Sequence, residues 1–278
     1  MKNAIFQYMV VNDRIDQERG RVPQDPVEGR TRSQLYLKCA RESSLSFQDY
    51  ADLIDSDYYY SEKQVFTKGD DSPAALLFEC LRVIYDPIFD QYDKVLFADT
   101  DIVVNTKENI FDVCEDGDVF GVLESDYVTR WNRGGYNSWD YSSSTLNNFV
   151  TKFKMHDIPI VPTMPPNRPS KLTILNTGIV VWSREARLRA REVFMDWKEW
   201  LDAEPKFHMS VVNDQPFISG QLMKHNFDLV TIDQTWNDSP HYATEEEFFE
   251  KAKMCHYTGG GWKIDMLRHI EENRFIGG

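Results

Sequence analysis

Short apolar runs of strand length recur along the chain and alternate with stretches whose apolar residues fall three or four positions apart. The runs are AIFQYMVV near the start, then KVLFA, DVFGVL, LTILNTGIVVW and FDLVTI. A short run without polar alternation suits a strand covered on both faces, and the helical spacing between runs supplies the covers. The expected fold is therefore α/β, with a mainly parallel central sheet and helices on both faces. With 278 residues, 41% hydrophobic and 13% aromatic, the chain can bury a full core. No repeat, low-complexity tract or linker divides it, so a single domain over residues 1–278 is the simplest organisation.

Helix boundaries can be read at three places. Ser72 is placed to cap a helix with Pro73 at its first position, expected to run to Phe89. A second helix is expected after Ser183, with Ala186, Ala190, Val193, Phe194, Trp197 and Leu201 along one stripe. A third starts at Thr244, where Glu247 completes a capping box. Segments 12–32 and 130–171 carry neither period and are too long for ordinary connections, which marks them as expected binding loops or lids.

Charge narrows the partners. The 45 acidic and 31 basic residues give a net charge of -14, which argues against a nucleic-acid or anionic-membrane surface. Any bound phosphate must then meet local cations or a metal. The opening MKNAIFQYMVVND reads as a first strand and lacks the longer apolar core of a signal peptide. No apolar run reaches the roughly 18 to 20 residues of a membrane span, so a cytoplasmic protein with no transmembrane segment is expected. Cys39, Cys80, Cys114 and Cys255 are widely separated, with no CxxC pair. Reduced, mostly buried thiols are expected rather than a disulfide framework or a zinc ribbon.

The run KVLFADTDIVV, Lys94 to Val104, leads from buried-strand residues directly into Asp99 and Asp101. Ligands of open α/β sheets bind just past the C-terminal ends of the strands. Two carboxylates at i and i+2 on a turning backbone can converge on one hard divalent cation, and that cation can bridge a diphosphate. Turn and helix-cap roles for the same aspartates remain open at this level. Further along, Asn176-Thr177-Gly178 interrupts a strand, and a glycine there often permits close approach of a ligand or another backbone. Asp214 and Gln215 stand just before a Pro-initiated helix, and CHYTGGGWK joins His256, three glycines including Gly259, and Lys263. A glycine loop ending in lysine suits phosphate, and His256 can complete a carboxylate-rich metal site.

An apolar strand followed by D-x-D-x-V-V also resembles the nucleophile motif of haloacid-dehalogenase-like phosphatases, in which Asp99 would be phosphorylated and Asp101 would act as acid and base. That motif usually opens its domain and needs a later lysine and a paired acidic motif. Here it lies about a third of the way along, and FDLVTIDQTWND is a poor acidic partner.

The order of DxD, NTG, DQ and H-x-x-G with a following lysine resembles the GT-A glycosyltransferases, in particular the family 8-like enzymes related to glycogenin and to bacterial lipopolysaccharide galactosyltransferases. The likeness runs from about Pro73 to Lys263. It includes Arg82, seventeen positions before Asp99, where the family carries an arginine that contacts the donor. The resemblance implies a single GT-A (Rossmann-like) domain whose nucleotide-binding half, 1–100, ends at the DxD and whose donor-sugar and acceptor half is 101–278. It implies a hexosyl- or pentosyltransferase that uses Mn²⁺ or Mg²⁺ and a nucleotide-sugar donor, with UDP-sugar the expected donor and a saccharide or glycan the acceptor. Asp99, Asp101 and His256 would be the metal ligands, and Asn176 and Gly178 would line the donor-sugar pocket. Asp214 and Gln215 would lie beside the anomeric carbon, Asp126 near the sugar and acceptor, and Asn12 and Asp13 near the base and ribose. Gly259 and Lys263 would meet the diphosphate, although Trp262 stands where the family has its lysine and Lys263 follows it. The aromatics Trp131, Tyr136, Trp139 and Tyr141 have a composition suited to stacking on a saccharide acceptor. The resemblance favours retention of configuration. Asp214 on the face opposite the leaving group would instead serve as general base and invert it.

Overall fold

A computed structural model describes residues 1–11, 31–123, 174–202, 214–240, 244–258 and 262–275. Asn12, Asp13, Asp126, Gly259 and the aromatics at 131, 136, 139 and 141 lie outside the described residues, as do nearly all of the two expected loops.

Six strands form the main sheet: β1 (Asn3–Tyr8), β2 (Asp57–Ser61), β3 (Lys94–Ala98), β5 (Val119–Leu123), β6 (Leu175–Ser183) and β7 (Leu229–Thr231). Their order is β2-β1-β3-β6-β5-β7. β1 is parallel to β2 and β3, and β5 to β7, whereas β6 runs antiparallel to both β3 and β5. The sheet is mainly parallel, as expected, with one reversed strand at its centre. Side chains alternate across it with the strand period of two. Ala4, Phe6, Val95, Phe97, Val180 and Trp182 enter the core on one face, and Ile5, Leu96, Ala98, Ile179 and Val181 enter the core on the other. Covering both faces requires apolar residues at every position, which is why these runs do not alternate with polar ones.

Helix α1 (Arg32–Leu53) covers the second face through Phe47, Tyr50 and Ala51, and it opens with a capping box between Thr31 and Gln34. The opposite face is covered by the segment after Ser72 and by α4 (Arg184–Val193), α5 (Trp197–Asp202) and α6 (Asp214–Lys224). Ser72 caps the first of these segments, with Pro73 in its first turn. The expected helix to Phe89 is instead broken into α2 (Pro73–Leu76), a 3-10 stretch, α3 (Arg82–Tyr85) and a second 3-10 turn from Pro87. Pro87 is the cause of the last break: it forces Asp86 into an extended conformation and brings no amide of its own. The stripe expected through Leu201 is likewise split, because Phe194 turns extended and α5 starts afresh.

A second sheet pairs β4 (Ile102–Val104) with β8 (Met254–His256), antiparallel, with Ile102 opposite His256. It packs with α1, α7 (Glu245–Lys251) and α8 (Trp262–Glu271) around Leu35, Val103, Phe248, Tyr257 and Met266. Thr244 and Glu247 form the expected capping box at the start of α7. All four cysteines are buried thiols that form no disulfide among the described residues. Among the described residues no helix is long and apolar enough to cross a membrane.

Candidate active site

β1, β2 and β3 run in the same direction, so their C-terminal ends share one edge of the sheet, and Asp99 is the first residue beyond β3. Its amide extends the β3–β6 ladder by donating to the Gly178 carbonyl at 2.8 Å. The chain then turns through Thr100 and Asp101 and leaves the main sheet as β4. Pairing of β4 with β8 carries His256 to the same place, and the Tyr257 amide closes the corner on the Asp101 carbonyl at 2.9 Å. The turn rests on a buried polar support. Gln7, next to the C-terminal end of β1, donates to the Asp99 carbonyl and to Ser43 Oγ, both at 2.9 Å. Tyr58 donates to Gln7 Oε1 at 2.7 Å, and Ser43 donates to the Ile102 carbonyl at 2.6 Å.

The result is a compact donor set. One ligand atom from each of Asp99, Asp101 and His256 lies within 4.8 Å of the others. His256 Nε2 is 3.2 Å from Asp101 Oδ1 and 3.7 Å from Asp99 Oδ2. The Asp99 side chain is 40% exposed, against 17% for Asp101 and 5% for His256, so the site opens to solvent on the Asp99 side. Two carboxylates and one imidazole, arranged this way with an open face, fit a divalent cation such as Mn²⁺ or Mg²⁺. Lys263, in the first turn of α8, donates to Asp101 Oδ2 and, at 2.7 Å, to the Tyr257 carbonyl.

These contacts separate the two carboxyls. Partial burial and the neighbouring charges of Asp101 and Asp214 push Asp99 upward, against a smaller opposing pull from Lys263. Burial acts upward on Asp101 as well, but Lys263 and His256 outweigh it and hold that carboxyl well below the usual range.

Gly178 is where β6 meets the histidine. A Cβ at that position would lie 2.3 Å from His256 Cε1 and 2.6 Å from Nδ1, so only a residue without one lets the strand pass the ring. Asn176 folds its side chain back to accept from the Gly178 amide at 2.9 Å. Asp214 and Gln215 open α6, which is tied to the start of β6: the Leu175 amide donates to Ser219 Oγ at 3.0 Å, and that hydroxyl donates to the Gln215 carbonyl at 2.7 Å. The NTG and DQ segments are thereby fixed to one another. Burial pushes the Asp214 carboxyl up to about 6, against the pull of hydrogen bonds from Thr177 and Cys80. The Cys80 thiol stands 3.7 Å from Asp214 Oδ2.

The expected donor contact Arg82 pairs with Asp86 at 2.9 Å and lies over the Phe6 ring, 5.0 Å from its centroid. Its Nε and Nη1, both buried, meet no hydrogen-bond partner among the described residues. Among the described residues, none of its recorded contacts reaches the carboxylate cluster. Sequence reasoning missed Gln7, Ser43 and Asn237. Gln7 had a signal, because a glutamine inside the apolar run AIFQYMVV must find hydrogen bonds once buried. Asn237, which bridges Asn176 Oδ1 and His256 Nδ1 at 2.8 Å each, had none, since both partners are distant in sequence.

No protein-family model matches the chain, and no curated protein does. Solved structures do. A glycosyltransferase involved in the glycosylation of the major capsid of PBCV-1 aligns over 96% of this chain and 100% of its own, with a TM-score of 0.54 at 12% identity. The bifunctional glycosyltransferase WbbM aligns over 96% of this chain and 49% of its own, with a TM-score of 0.48 at 14% identity. The galactosyltransferase LgtC, in complex with donor and acceptor sugar analogs, aligns over 92% and 87%, with a TM-score of 0.44 at 12% identity. The chain therefore has the GT-A glycosyltransferase fold. The phosphatase alternative gains no support, and the lysine at the site pairs with the second carboxylate, Asp101, instead of the would-be nucleophile.

Proposed function

We propose that the protein is a metal-dependent glycosyltransferase that moves a sugar from a UDP-sugar to a hydroxyl of a saccharide acceptor. What carries the reading is the convergence of Asp99, Asp101 and His256 at the C-terminal edge of the sheet in a chain of this fold. A divalent cation held by these three residues would neutralise negative charge developing on the departing diphosphate. Lys263, already directed at Asp101, supplies a second positive charge to the same phosphates. Asn176 and Gly178 line the donor-sugar pocket, and Gly259 and Arg82 contribute further donor contacts. By the family resemblance the base and ribose are assigned to Asn12 and Asp13 and the sugar to Asp126, and by composition the acceptor is assigned to Trp131, Tyr136, Trp139 and Tyr141. Residues 1–100 hold the nucleotide and residues 101–278 hold the sugar and acceptor.

Gln215 and Asp214 flank the anomeric carbon, where positive charge builds in an oxocarbenium-like transition state. Asp214 serves there as the carboxylate. Attack from the leaving-group face retains configuration; attack from the opposite face, with Asp214 taking the acceptor proton, inverts it. The anomeric coupling constant of the product distinguishes the two. The test of the function is UDP release from UDP-sugars with Mn²⁺ and an oligosaccharide mixture. Release that stops with EDTA supports the reading, and metal-independent release contradicts it.

The position of Asp214 has a pH consequence. Its carboxyl titrates near 6 in the folded protein, against an ordinary 3.8. Activity that needs the carboxylate should rise with pH to a plateau above about 6. Between the two values the folded protein holds more protons than the unfolded chain, so this group's contribution to stability falls as pH rises through that window. Asp214→Asn is therefore expected to lose turnover while melting no lower than wild type at pH 7. A lower melting temperature for the variant would contradict this assignment of cost.

A further inference from the structure

We infer that Asn237 is a positioning residue that fixes the ring tautomer of His256 and so presents Nε2 to the metal, an inference that rests on the metal-site reading above. One atom in the chain of contacts has a role fixed by its chemistry. The Gly178 backbone amide can only donate, and it points at Asn176 Oδ1 at 2.9 Å. That oxygen is therefore an acceptor. The Asn237 side chain meets the same oxygen at 2.8 Å and must present its NH₂ there. The carbonyl oxygen of Asn237 is then the atom turned toward His256 Nδ1, also at 2.8 Å. An amide oxygen only accepts, so Nδ1 carries a proton, and in the neutral ring Nε2 keeps the lone pair.

Nε2 is the nitrogen that faces Asp101 and Asp99. The opposite tautomer would set the Nδ1 lone pair against the Asn237 oxygen, 2.8 Å away, and turn its N–H toward Asp101 Oδ1, the competing acceptor 3.2 Å from Nε2. Burial makes the choice firm, because Asn237 is 1% exposed and His256 4%, which leaves little room for water to replace the amide. The strand glycine thus acts on the proposed metal ligand through Asn176 and Asn237 in turn, and the orientation of this relay is set by a backbone amide on β6. A ligating histidine whose other nitrogen is held in this way is oriented as well as polarised.

The experiment uses the full chain with ¹⁵N-labelled histidine, His256 being identified by the signal lost in His256→Asn. Without metal and at alkaline pH, wild type should show a protonated Nδ1 and an unprotonated Nε2. This measurement needs no Asn237 variant, so a folding failure cannot obscure it. Asn237→Ala should lose that preference and bind Mn²⁺ about 10- to 100-fold more weakly by electron paramagnetic resonance, with Asp101→Ala as the reference for a broken site. A wild-type ring protonated on Nε2, or unchanged Mn²⁺ affinity in Asn237→Ala, would overturn the inference. The Nδ1–H tautomer together with no Mn²⁺ binding in wild type would support the tautomer assignment and sink the metal-site reading instead.

Discussion

Asp101→Ala is expected to lower glycosyl transfer by about two to three orders of magnitude, the scale on which removal of a single preorganised electrostatic group acts. Asp101 is the centre of the site: its carboxylate is the nearer one to His256 Nε2, and it also receives Lys263. Truncation removes one of the three proposed metal ligands and strips the lysine of its ion-pair partner. The Lys263 side chain is only 9% exposed, so its ammonium would be left with the Tyr257 carbonyl and a destabilisation of about 3 kcal/mol is expected. The two effects separate by measurement. Asp101→Asn keeps the volume and an oxygen near Lys263, and it should recover most of the melting temperature but little of the activity. Activity within tenfold of wild type in either variant would remove Asp101 from the metal site.

The second large effect is expected at Gly178, which has no chemistry of its own. A methyl group there would overlap the His256 ring at both Cε1 and Nδ1. Neither neighbour can yield easily, because the strand is fixed by the Asp99 amide on one side and the ring by Asn237 on the other. Gly178→Ala should therefore drive the imidazole away from the carboxylates, reduce Mn²⁺ affinity about 10- to 100-fold, and cost about 1–3 kcal/mol in stability from overpacking. Mn²⁺ titration followed by electron paramagnetic resonance reads the first effect, and a thermal melt reads the second. Wild-type affinity in Gly178→Ala would mean that the ring does not occupy this position when the metal binds.

The two substitutions also show where the site was legible in the chain. Asp99 and Asp101 declare themselves because carboxylates at the end of an apolar strand need a reason, and His256 and Gly178 because each interrupts a run it would not otherwise enter. The pairing that joins them is not legible. β4 and β8 are three residues each, separated by about half the chain, and nothing local in IVV or MCH selects the other as partner. The reversal of β6 is equally silent, since an apolar run carries no direction. Helix α1 escaped notice because its apolar residues contact two different cores, Leu35 and Cys39 with the small sheet and Phe47 and Tyr50 with the large one, which spreads them around the helix. The break before Pro87 is legible in the chain, because the residue preceding a proline is biased toward extended backbone, as Asp86 is.

Calorimetric titration of UDP into the protein with Mn²⁺, repeated with EDTA, tests the central claim most directly. The account predicts binding in the micromolar range with the metal and none once the metal is chelated. Binding that is indifferent to EDTA, or no binding in either condition, would contradict it.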